Sequence, residues 1–167
     1  TASAADGSVY VSSTYNKAFT FAGKEVADPE GLTSACIAKY NGNGEEQWAV
    51  TMEGGALVYA VDTDEAGTLY AAGNFMDAVK YTGTDGTTGE LAGGADVYTA
   101  FVAKIRKDGA IEGIKTFAPV VNSAIMESFM YFPEPGYVYV TPNNIKIDGE
   151  KVYVSATYTA DVEELGW

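Results

Sequence analysis

A seven-residue string near the start of this chain returns almost unchanged near its end. Val9-Tyr10-Val11-Ser12-Ser13-Thr14-Tyr15 and Val152-Tyr153-Val154-Ser155-Ala156-Thr157-Tyr158 agree at six of seven positions. A looser copy, Leu69-Tyr70-Ala71-Ala72-Gly73-Asn74-Phe75, lies between them, offset by 60 residues from the first. The same offsets carry Gly23 onto Gly83 and then onto Gly166. Recurrence over such distances restricts the fold to an array of similar pieces, each burying its faces against its neighbours.

The best-defined piece runs from Val58 to Phe117 and reads as four strands. They are Val58 to Val61, Thr68 to Gly73, Thr99 to Ile105 and Ile111 to Phe117, rich in β-branched and aromatic residues and separated by turn residues. Its second half recurs as well. Ala35-Cys36-Ile37-Ala38-Lys39-Tyr40 aligns with Ala100-Phe101-Val102-Ala103-Lys104-Ile105, and Asn43-Gly44 with Asp108-Gly109, dipeptides that favour positive φ and close tight hairpins. Short second strands are expected at Ala18 to Phe21 and Ala78 to Tyr81, and a Gly-rich loop from Thr82 to Asp96. The units span about 1–52, 58–117 and 144–167 of a single domain, with an insertion at about 118–141. That insertion holds Tyr131-Phe132-Pro133-Glu134-Pro135-Gly136-Tyr137, whose prolines exclude a central strand.

The chain is therefore expected to be all-β. Its strands are apolar at consecutive positions, as in Val9-Tyr10-Val11 and Ala100-Phe101-Val102, which suits sheets covered on both faces. Four-stranded antiparallel units stacked face to face as β-propeller blades meet that demand. A β-sandwich, the alternative, wets one face of each sheet and needs no repeat.

Charge excludes some partners. Ten Lys and Arg stand against 23 Asp and Glu, a net charge of −13, which repels phosphate backbones and anionic lipid. No nucleic-acid partner is expected. No membrane span is expected either, since no run reaches the ~18 apolar residues needed.

The chemical vocabulary is thin. Histidine is absent, which removes His-based nucleophilic machinery and His-ligated metal sites. Cys36, the single cysteine, sits in an apolar strand and reads as a core residue. Gly89-Glu90-Leu91-Ala92-Gly93-Gly94 lacks the Lys-Ser/Thr of a phosphate cradle and reads as loop. Asp62, Asp64 and Glu65 offer oxygen ligands of the kind Ca²⁺ takes, but the turns at Asp6-Gly7 and Asp148-Gly149 lack the extra acids, and a self-bonded hairpin turn accounts for them equally. Glu127, Glu134 and Asp96 are the acids available for a glycosidase-type pair, although nothing in the sequence positions them. Tyr15, Phe75, Tyr98, Tyr131, Phe132, Tyr137 and Tyr158 are the aromatics available to stack on sugar or grip a protein; most tyrosines here occupy strand positions suited to packing between sheets. No catalytic, cofactor or metal residue is assigned.

The run Val61 to Gly73, followed by Ala100-Phe101-Val102-Ala103-Lys104 and Asp108-Gly109, resembles the bacterial seven-bladed β-propeller repeat, and Trp48 stands where that repeat's closing strand often carries a tryptophan. The second unit departs from it, with Gly113 or Ile114 near that position. The resemblance implies an exported or surface-attached bacterial module that binds or scaffolds without catalysing, and carries over no catalytic residues. Two and a half units leave faces open. If one face holds ~400 Å² of apolar surface, covering it is worth on the order of 10 kcal/mol. The expected cover is the rest of a longer parent chain or another copy, with a glycan or protein as ligand. A carbohydrate-active enzyme and a self-associating surface protein are the competing readings.

Overall fold

A computed structural model describes residues 1–29, 33–94, 97–118 and 138–158. Every regular element there is a strand: β1 (Ala2–Ser3), β2 (Val9–Tyr15), β3 (Phe19–Phe21), β4 (Lys24–Val26), β5 (Ser34–Tyr40), β6 (Glu46–Glu53), β7 (Leu57–Thr63), β8 (Leu69–Phe75), β9 (Ala78–Thr82), β10 (Thr88–Ala92), β11 (Val97–Ile105), β12 (Ile111–Phe117), β13 (Val138–Asp148) and β14 (Lys151–Tyr158). The protein is all-β, with several sheets and none closed into a barrel. Among the described residues no helix is long and apolar enough to cross a membrane.

Strand pairing follows the sequence offsets residue for residue. In the first sheet β2 pairs antiparallel with β5, setting Tyr10 opposite Lys39 and Val11 opposite Ala38. In the second, β8 pairs with β11 in the same register, setting Tyr70 opposite Lys104 and Ala71 opposite Ala103. A fourth strand closes each set, β6 on β5 and β12 on β11.

Turn chemistry explains how closely the hairpins agree. Five turns, ending at Gly7, Gly44, Gly67, Gly86 and Gly109, share one pattern: the glycine N–H donates to the carbonyl three residues back, and the residue at that carbonyl donates to the residue after the glycine. In all five the glycine has φ between 81° and 90°. Only the glycine of Asn43-Gly44 and Asp108-Gly109 adopts positive φ, so these are type I turns followed by a left-handed residue rather than two-residue hairpins. Asp6, Asp85 and Asp108 each accept, through Oδ1, the N–H two residues on, at 2.9 to 3.1 Å.

The sheets lie against one another through alternate side chains. Tyr10, Ile37, Val50 and Met52 of the first sheet meet Leu69, Phe75, Phe101 and Ile105 of the second, all nearly solvent-free. On the opposite face of the second sheet, Ala72 packs with Ile145 and Ile147 of β13, flanked by Tyr70 and Val102. Strand β8 is thus covered on both faces, which accounts for its unbroken apolar run.

Three features differ from the sequence reading. The stretch Thr82 to Asp96 is not all loop, because Thr88–Ala92 pairs with β9 as a hairpin whose β9 edge joins β6 of the first sheet. Its strands bury only Val79 fully, with Tyr81 and Leu91 partly packed, so their polar composition hid them. The hairpin β3–β4 forms a two-stranded sheet of its own over the other face of the first sheet, with the Phe21 and Tyr40 rings 5.4 Å apart. Finally, β13 begins at Val138, inside the stretch assigned to the insertion, and takes in Pro142 beside a bulge, opposite Ala156 and just before the register shifts. The ribbon at Tyr131 to Tyr137 lies outside the described residues.

Close approach of backbone requires glycine at Gly73, where a Cβ would collide with the Leu57 carbonyl and the Phe101 ring, whereas one at Gly113 would meet nothing. Gly73→Ala should therefore lose on the order of 2–3 kcal/mol in urea unfolding, while Gly113→Ala should be neutral or slightly stabilising. Equal effects at the two positions would contradict this packing.

Candidate functional site

Where β7, β8, β11 and β13 meet, six residues line a shallow hollow of about 310 Å³: Leu57, Tyr59, Asn74, Tyr98, Tyr139 and Thr141. Three are tyrosines and none is charged. Each arrives for a local reason. Leu57 pairs with Asn74 and Val58 with Gly73, but Ala60 pairs with Ala72, so Tyr59 is an extra residue at a β-bulge. Bulges re-aim side chains, and Tyr59 stays 45% exposed on an otherwise well-packed sheet. Tyr98 lies on the part of β11 that runs beyond β8, where it pairs in parallel with Tyr139 of β13.

Asn74 forms the base of the hollow at 2% exposure. Its Nδ2 donates to Thr141 Oγ1 at 2.9 Å and to the Val140 carbonyl at 3.4 Å. A carbonyl only accepts, so the nitrogen is the end that must face β13. That leaves Oδ1 buried with no hydrogen-bond partner. An unmet buried acceptor costs about 1–3 kcal/mol. Burial, then the neighbouring Tyr98, pushes the Tyr59 hydroxyl above its ordinary pKa, while the Asn74 side chain beside it pulls the other way.

The residues singled out from sequence fall in different places. Tyr98 lines the hollow. Phe75 is fully buried against Phe101, 6.2 Å between ring centroids, and serves the core rather than a ligand. Tyr15 meets Phe19 edge-on at 5.2 Å on the outer side of the first sheet. Tyr158 ends β14, 37% exposed. Tyr131, Phe132, Tyr137, Glu127, Glu134 and Asp96 lie outside the described residues. Cys36 is buried, and burial pushes its thiol up to about 11, far from thiolate chemistry at neutral pH.

The acids of the β7–β8 turn are occupied by the fold. Asp62 Oδ2 accepts the Ile147 N–H at 2.9 Å and Lys146 Nζ at 3.0 Å, tying β7 to β13. Asp64 Oδ1 accepts the Thr68 N–H at 2.8 Å, and Glu65 points to solvent. Among the described residues no three His, Cys, Asp or Glu side chains gather in a way that could hold a metal ion.

Sequence reasoning named Tyr98 but missed Tyr59, Asn74 and Tyr139. Tyr59 reads as one more apolar residue in Leu57-Val58-Tyr59-Ala60-Val61, since nothing there announces the bulge. Tyr139 fell within the supposed insertion. The chain matches no family model and no curated protein sequence.

Burial raises the Asp62 carboxyl, yet the bonds from Ile147 and Lys146 outweigh it and hold the group below its ordinary value. A depressed folded pKa means that the stabilisation is present above pH ~4 and lost as pH falls through the lower folded value. The gap in urea midpoint between wild type and Asp62→Asn should therefore be widest near neutrality and shrink on acidification. A gap independent of pH would remove Asp62 from this role.

Proposed function

We propose that this protein is a non-catalytic binding module, an arc of a β-propeller-type ring, which takes a neutral glycan into the tyrosine hollow. The observation that carries the reading is a small, shallow hollow lined by three tyrosines, floored by the Asn74 amide and free of charge. Tyrosine offers apolar ring faces with a polar tip, the combination suited to the C–H faces and hydroxyls of a sugar. Its volume falls at the small end of ligand pockets. A catalytic reading gains no support from the hollow, because its six lining residues include no carboxylate, histidine, lysine or cysteine. The ring arrangement is supported by the shared register of β2–β5 and β8–β11 and by the covering of β8 on both faces. An acidic surface and a glycan ligand suit the secreted or bacterial cell-surface setting that the repeat resemblance implies.

The test is a glycan array followed by titration calorimetry with the strongest neutral hit. Tyr98→Ala and Asn74→Ala should each weaken binding about tenfold or more. Binding should be flat between about pH 5 and 8, since no carboxylate, imidazole or amine lines the hollow. Array hits restricted to charged glycans, or affinity unchanged in both variants, would defeat the proposal.

A further inference from the structure

The second, larger opening lies at the far edge of the molecule. Two hollows of about 790 and 440 Å³ share Val102, Phe117 and Val154, and together form a groove between the outer face of β11–β12 and the inner face of β14. Phe117, Val152, Val154 and Tyr158, all large and 37–48% exposed, border it. Among the described residues β14 pairs only with β13, leaving its other edge open.

What covers the equivalent edge is visible twice in this chain. The strand Val9–Tyr15 has Ser34–Tyr40 on that edge. Leu69–Phe75 has Thr99 to Ile105 there, in the identical register. The two covering strands read Ser-Ala-Cys-Ile-Ala-Lys-Tyr and Thr-Ala-Phe-Val-Ala-Lys-Ile. In the second, Phe101, Ala103 and Ile105 point back into the preceding sheet and are 0%, 1% and 1% exposed.

From this we infer that the free edge of β14 and the groove beside it form an acceptor slot for one extended strand of this third-strand type, Ser/Thr-Ala-x-x-Ala-Lys-x with apolar x, added antiparallel to residues 152–158. In the register of the other two pairs, the terminal apolar residue falls opposite Val152, the alanine before the lysine opposite Val154, and the first x opposite Ala156. These three incoming side chains enter the groove, because Val152 and Val154 line one hollow and Val154 and Ala156 the other. The lysine falls opposite Tyr153, as Lys39 does opposite Tyr10 and Lys104 opposite Tyr70. Main-chain bonds supply affinity in such strand addition and the alternate side-chain pockets supply selectivity. The inference rests on strand register and stands apart from the tyrosine hollow.

A capped synthetic peptide of residues 98–107 is the probe, titrated into the intact chain by calorimetry and by amide NMR. Saturable one-to-one binding is expected, with shifts confined to β14 and the outer face of β11–β12. Val154→Lys, which places a charge in the groove, should weaken it about tenfold or more. Ser155→Lys, which puts the same charge on the other side of the strand and opposite an apolar residue, should change it less than about twofold, and a scrambled peptide of the same composition should bind about tenfold more weakly. The inference is overturned by no binding at millimolar peptide, by a footprint on another strand edge, or by equal binding of the scrambled peptide. The footprint on the unmodified chain decides the matter even should Val154→Lys fold poorly.

Discussion

Tyr10 is fully buried, and the seam it occupies between the first and second sheets sets the terms for everything after it. Its hydroxyl donates to the Gly67 carbonyl at 3.2 Å, and its ring lies 5.8 Å from that of Trp48 and 5.5 Å from Lys39 Nζ. Trp48 Nε1 and Lys39 Nζ then converge on one acceptor, the Lys107 carbonyl, at 3.0 and 3.1 Å. Three side chains of one sheet thus reach two turns of the next. The apolar layer behind them provides most of the stabilisation, about 1.5–3 kcal/mol per buried large side chain, but a greasy face alone tolerates sliding. The polar contacts fix where the sheets stop relative to each other, since displacing them leaves buried donors without partners. Lys39 illustrates the cost, because burial pulls its ammonium below the ordinary lysine range while Asp6 pushes back.

The next seam is built by the same logic with different atoms. Asp62 accepts the backbone N–H of Ile147, and Asn74 donates to Thr141 and the Val140 carbonyl at the other end of β13, so β13 is pinned at two points about a strand's length apart. Between these pins Ala72, Ile145 and Ile147 make a much smaller apolar layer than the first seam has. The tyrosine hollow follows from that economy. A large residue in place of Asn74 would fill it, and a β7 without its bulge would carry no extra residue at Tyr59. A site arises here because the third layer meets the second at its end through polar and aromatic groups rather than by close aliphatic packing.

Local chemistry determined what the sequence could disclose. Val9–Tyr15, Leu69–Phe75 and their pairing strands were legible because they repeat and are apolar on consecutive positions, which only a sheet covered on both faces demands. The turns were legible because Asn-Gly and Asp-Gly have few other uses. The hairpin β9–β10 was not, since its stability comes from joining β6, some thirty residues upstream, rather than from its own composition. Residues of the hollow were the least legible. Tyr59, Asn74, Tyr98 and Tyr139 lie on four strands, and only the bulge and the parallel pairing of β11 with β13 bring them together.

If stacking of successive sheets is what holds the chain, protection must follow coverage. Native-state hydrogen exchange on the intact chain measures this directly. The account requires the slowest amides in β8, which has strands on both edges and packed side chains on both faces, and markedly faster exchange in β14, whose residues are exposed along its whole length. Protection in β14 equal to that in β8, or β8 opening before it, would contradict the account.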